Sequence, residues 1–161
     1  MRSFGTLALL FLSNVVFADW PQGAGSSGGF RTSQSAPTEW SVVRNENIAW
    51  KLTLPETGQS TPVVSGGKVF FTTVKEVDAD AEVARDVVAW CCDAETGKVL
   101  WQRDIPGKHF LRISGAFSDS SAPPAVSDGK RVVFVNASGG IACFDLNGKA
   151  LWNRDLFSVG R

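Results

Sequence analysis

The 161 residues balance 16 Lys and Arg against 16 Asp and Glu, with 43% hydrophobic residues, six Trp and no Tyr. That apolar share is enough to build a core, so the chain is globular and not disordered. Its neutrality removes the basic stripe that a nucleic-acid binder uses to neutralise phosphates.

Residues 1–18 have the pattern of a secretory signal peptide. Arg2 supplies a positive start, Phe4 to Leu12 is an apolar run, and Val16 and Ala18 take the −3 and −1 positions of a small-residue cleavage site. The run is too short for a stable bilayer anchor, and no later segment is long and apolar enough to be one. The mature chain is therefore expected to begin at Asp19 and to be exported, periplasmic or extracellular. From 19 to 47 the chain is rich in Gly and Ser, notably Gly23-Ala24-Gly25-Ser26-Ser27-Gly28-Gly29. Such a composition buries little surface and predicts a flexible leader.

Beyond it lies a repeat. Ser60-Thr61-Pro62-Val63-Val64-Ser65-Gly66-Gly67-Lys68-Val69-Phe70-Phe71 matches Ala122-Pro123-Pro124-Ala125-Val126-Ser127-Asp128-Gly129-Lys130-Arg131-Val132-Val133-Phe134. Downstream, the stretch from Cys92 to Asp104 matches Phe144 to Asp155, with Asp93, Gly97 and Trp101 aligned on Asp145, Gly148 and Trp152. The first copy carries an insertion in its middle hairpin and a turn one residue longer. Ile48-Ala49-Trp50-Lys51-Leu52 reads like the strand at Val99–Arg103, as the tail of a preceding copy.

In the first copy, β-branched and aromatic runs bounded by Gly, Asp and Pro predict strands at Pro62–Val64, Lys68–Val74, Asp86–Cys92 and Val99–Asp104. The second copy predicts Arg131–Asn136, Gly140–Asp145 and Ala150–Asp155, with Asn147-Gly148 suited to a type I′ hairpin. No sustained 3.6-residue apolar period is present. Four antiparallel strands per unit of about 50 residues is the pattern of a propeller blade. The fold class is thus all-β, a partial propeller over residues 48–161, with blades at about 60–104 and 121–155. A closed ring of roughly 4–8 such blades needs on the order of 200–400 residues. The sequence is accordingly expected to be a fragment of a longer chain.

Asp93-Ala94-Glu95-Thr96-Gly97-Lys98-Val99-Leu100-Trp101 resembles the tryptophan-docking signature of quinoprotein-like (pyrroloquinoline quinone, PQQ-like) β-propeller repeats. Asp19-Trp20-Pro21-Gln22 is similar to the start of exported members of that group. Cys91 stands where the signature usually has Ala, and the second copy, Leu146-Asn147-Gly148, lacks the Thr. The resemblance assigns blade docking to Asp93, Thr96, Gly97, Trp101, Asp145, Gly148 and Trp152. Physically, Gly97 permits the turn, Asp93 accepts backbone N–H bonds within it, and Trp101 lays a flat ring on the next blade.

Other residues offer less chemistry. Cys91 and Cys92 are adjacent, and their side chains point to opposite faces of a strand, so a bridge between them needs a distorted peptide, although export leaves a disulfide open. Cys91 and Cys143 sit at equivalent positions of the two copies, as buried packing thiols do. The total of three cysteines argues against a full disulfide framework. Asp78, Asp80 and Glu82 alternate in the insertion but lack the glycine and closing glutamate of a calcium loop. His109 is the only histidine, which removes multi-imidazole zinc sites and a local Ser–His–Asp set. No Ser or Thr follows the Gly-Lys pairs, so they are not phosphate loops. Asn136-Ala137-Ser138 has the form of a glycosylation acceptor.

No catalytic, cofactor-binding or metal-binding residue is assigned. The expected function is an exported, non-catalytic propeller that acts as a scaffold or binds a protein or extracellular polymer, with no cofactor and no nucleic acid. The alternative implied by the resemblance is an oxidoreductase that uses PQQ and calcium on alcohols or sugars. A sensor or adhesion part of a larger polypeptide is a third reading.

Overall fold

The computed structural model describes residues 19–32, 35, 37–75, 86–109 and 119–158. The predicted signal peptide and the acidic stretch at Asp78–Glu82 lie outside them. Among the described residues, eight strands form two separate four-stranded antiparallel sheets in simple sequential order. The first sheet holds β1 (Val63–Ser65), β2 (Lys68–Val74), β3 (Val87–Asp93) and β4 (Val99–Ile105). The second holds β5 (Val126–Ser127), β6 (Arg131–Val135), β7 (Gly140–Asp145) and β8 (Ala150–Asp155). Each sheet is one blade, and together they make a partial all-β propeller.

Turn chemistry explains the spacing. Ser65 pairs with Lys68, and the two residues between them, Gly66 and Gly67, have φ of 57° and 71°. That is the type I′ geometry whose twist matches the flanking strands. At Asn147-Gly148, by contrast, the expected type I′ turn is absent. Only Gly148 has positive φ, at 82°, while its N–H bonds the Asp145 carbonyl at 3.0 Å. The loop is a type I turn ending in a left-handed glycine, and the register shift between Cys143 and Phe144 accommodates the added residue. The first blade carries the same shift between Cys91 and Cys92.

The core lies between the blades. Phe70 of β2, Phe134 of β6, Phe144 of β7 and Trp101 of β4 pack edge to face or tilted, with centroids 5.8–6.3 Å apart. Phe70 of β2 and the alternate residues Val132 and Phe134 of β6 belong to this core, the period expected of a strand with one buried face. On the other face of the first blade, Phe71 stacks on Trp90 at 5.8 Å, and the Trp90 indole N–H reaches the Thr73 hydroxyl at 3.0 Å.

Two upstream segments differ from the sequence expectation. Residues 48–52 form no strand, although Trp50 docks on the first blade as described below. Within the leader, Trp20 makes an antiparallel bridge with Val64 of β1. Pro21 accepts a hydrogen bond from the Ser127 N–H of β5 at 2.8 Å. The composition of residues 19–30 suggested freedom, but three backbone hydrogen bonds tie Trp20 and Pro21 to both blades, and the Trp20 indole folds back on the segment itself.

Candidate functional site

Each blade presents the turn between its last two strands to an incoming tryptophan. In the first, Asp93 accepts from the Glu95 N–H at 3.1 Å, the Thr96 N–H at 2.8 Å and the Thr96 hydroxyl at 2.7 Å. These bonds favour the ionised form, so the Thr96 hydroxyl and then its N–H hold the Asp93 carboxyl below its usual range. In the second blade, Asp145 accepts from the N–H groups of Asn147 and Lys149, each at 2.9 Å. An exposed carboxylate thus organises each turn, and a left-handed glycine completes it.

The glycines are also contact points. A Cβ at Gly97 would stand 2.5 Å from the Trp50 ring, and one at Gly148 would stand 2.8 Å from the Trp101 ring. Both distances are shorter than any real Cβ contact, so the indole lies where only a glycine leaves room. Trp50 donates its indole N–H to the Ala94 carbonyl at 3.0 Å. Trp101 donates to the Leu146 carbonyl at 3.2 Å. The two contacts follow one design, shifted by a blade.

Arg103, which the sequence reading did not single out, completes the second contact. Its Nε–H bonds the Gly148 carbonyl at 2.8 Å, and its guanidinium lies 5.8 Å from the Trp101 ring. Trp152 and Arg154 repeat the pair on β8, with the guanidinium 6.0 Å from the ring. There, no docking turn faces them among the described residues, and Trp152 remains 36% exposed. A Trp-x-Arg spacing places both side chains on one face of a strand, the local signal that could have found Arg103.

A second seam ties the blades at the other end of the strands. Asn136 is fully buried; its amide donates to the Ile105 carbonyl at 3.0 Å and accepts from the Ser138 N–H at 2.8 Å. The Asn136-Ala137-Ser138 triplet is thus closed in the folded chain, which encloses that amide and uses both its ends. Nearby, His109 Nε2 lies 2.9 Å from both carboxylate oxygens of Asp155, and Phe157 packs edge-on against its ring at 5.0 Å. The Phe157 N–H, followed by His109, holds the Asp155 carboxyl below its usual range.

Cys91, Cys92 and Cys143 are buried free thiols. Cys91 lies between Phe70 and Trp101 across the sheet, and Cys143 lies between Val133 and Trp152. Burial pushes the Cys91 thiol up to about 12, opposed by the Lys68 charge, which suppresses thiolate chemistry. Among the described residues, no three His, Cys, Asp or Glu side chains are grouped to hold a metal ion. None forms a helix long and apolar enough to cross a membrane.

The family described as outer membrane protein assembly factor BamB matches residues 44–161. No curated protein matches the chain. Among solved structures, the quinohemoprotein alcohol dehydrogenase ADHIIG of Pseudomonas putida HK5 is similar at 17% identity and a TM-score of 0.45, over 69% of this chain and 23% of that one. BamB from Moraxella catarrhalis is similar at 19% identity and a TM-score of 0.34, over 70% of this chain and 44% of that one. The chain spans less than half the length of either.

Proposed function

Because the chain belongs to the family of the outer membrane protein assembly factor BamB, we propose that it is an exported, non-catalytic propeller that serves as a scaffold or binding module. Its partners are proteins or extracellular polymers. One observation carries this reading: the signature residues are spent on joining blade to blade. Trp101 and Arg103 give their polar hydrogens to the carbonyls of the next turn, and Asp93 and Asp145 give their carboxylates to their own turns. Such residues build a rigid surface, and none of these signature side chains is itself left poised as acid, base or nucleophile.

The test is to incubate the purified protein with PQQ and Ca²⁺ and assay alcohol- or sugar-dependent dye reduction. No turnover above the protein-free control is expected; saturable turnover would reject the scaffold in favour of a quinoprotein oxidoreductase. Export is read from the signal-peptide pattern of residues 1–18. Amino-terminal sequencing of the secreted or periplasmic protein is expected to begin at Asp19, and a retained Met1 would refute it.

A further inference from the structure

The edges of β1 and β5 are where the sheets should be open. Among the described residues each strand has one neighbour in its sheet, β2 and β6 respectively, and an open edge is a template for another extended chain. Here the chain supplies that segment itself. The Trp20 N–H donates to the Val64 carbonyl and the Val64 N–H donates to the Trp20 carbonyl, both at 2.8 Å. One residue later, the Pro21 carbonyl takes the Ser127 N–H at 2.8 Å. A single dipeptide thus bonds both backbone groups of Val64 on one edge and the Ser127 N–H on the other.

The segment is locked at either side of this dipeptide. Before it, the Asp19 carboxylate accepts the Gly66 N–H at 3.2 Å. After it, the Trp20 indole folds back, donating to the Gly23 carbonyl at 3.2 Å and covering Gly25. A Cβ at Gly25 would lie 3.0 Å from that ring, and its φ of 78° already disfavours a side chain. The Gln22 amide closes the turn on the Gly25 carbonyl at 2.9 Å. Main-chain bonds to an edge with a few side-chain anchors are the working parts of peptide capture by strand addition.

We propose that the paired free edges of β1 and β5 form a binding site for an extended peptide of the Asp-Trp-Pro type, which residues 19–25 fill in cis. The proposal rests on the reading of the chain as a binding module and names where that module takes a peptide. A tethered segment acts at an effective concentration in the millimolar range, so the wild-type strap excludes a free competitor. Weakening the lock opens the site while leaving β1 and β5 intact.

The experiment uses the full chain, as wild type, Trp20→Ala and Gly25→Ala, with amide hydrogen exchange read at 63–65 and 126–127. In both variants, exchange at Val64 and Ser127 is expected to rise about tenfold or more, while the amides of β6 and β7 keep their wild-type rates. A synthetic peptide copying residues 19–25, added at millimolar concentration, restores the protection saturably; the same peptide with alanine for Trp20 does not. The wild type shows no change with either peptide. Unchanged exchange in both variants would overturn the proposal, and so would lost protection that the peptide fails to restore. Quinone-dependent turnover would reject the scaffold without altering edge protection, so the two failures are distinguishable.

Discussion

Trp101 and Trp152 hold the same position in successive blades, each opposite a cysteine in the preceding strand, yet their surroundings differ. Trp101 is 8% exposed and Trp152 is 36% exposed. The first ring covers Gly148 and packs among Phe70, Phe134 and Phe144; the second has Arg154 over it and, among the described residues, no glycine turn beneath it. The preceding contact, Trp50 on Gly97, shows that docking needs neither a strand around the tryptophan nor an arginine two residues on, since residue 52 is Leu. The unit of cohesion is therefore the indole on the glycine turn. The guanidinium is an added clamp.

The largest effect should come from removing the docked ring. Trp101→Ala should cost about 3–5 kcal/mol, as large aromatic truncations in a packed core do. Trp152→Ala should cost roughly 1 kcal/mol or less, because half-exposed side chains contribute little. Urea denaturation of the two variants beside the wild type measures both. Equal losses would break the comparison and show that Trp152 is docked in solution.

A glycine pair sharpens the same point. Gly129 and Gly148 both have φ of 82°, but a Cβ at Gly129 meets nothing within 4 Å, whereas at Gly148 it meets the Trp101 ring. Gly129→Ala reports backbone strain alone, about 1 kcal/mol. Gly148→Ala adds the displaced indole and should cost about 2–3 kcal/mol or more. Matching values would mean that the close approach contributes nothing.

Much of this was legible in the sequence because the relevant signals are local. A repeated Gly-Lys, Asp and Trp spacing fixes turns and strands wherever the second copy confirms the first. What escaped depended on partners far along the chain. Asn136 has the form of an exposed glycosylation triplet, and only the approach of Ile105 makes it a buried tie. Arg103 resembles any surface arginine until Gly148 arrives beneath it. Residues 19–25 are Gly-rich, and composition cannot reveal that a backbone segment will be held by strand edges. At Asn147-Gly148, the dipeptide suits two turn types, and the shift at Cys143 selects the longer one.

The clamp should have a smaller effect than the glycine it binds, Gly148. Arg103→Ala removes one charge-assisted bond to the Gly148 carbonyl at a partly exposed site and should cost about 1 kcal/mol. Arg154→Ala should be within about 0.5 kcal/mol of the wild type. A larger loss at Arg154 than at Arg103, in the same denaturation series, would place an unseen acceptor against β8.

The smallest effect separates the turns themselves, since only the first has a threonine. The Thr96 hydroxyl and N–H lower the folded-state value of Asp93. A carboxyl whose folded value lies below its unfolded one contributes stability above the unfolded value, about 3.9 for Asp. That contribution is lost as pH falls through the folded value. Thr96→Ala removes the leading cause of the shift, so the variant has less to lose on acidification. The stability gap between wild type and Thr96→Ala should therefore be widest near neutral pH and close as the pH drops below about 4. Chemical denaturation across that range measures it. A gap constant with pH would mean that Thr96 acts through its neutral contacts alone, and that its charge-favouring bond to Asp93 does not distinguish the two turns.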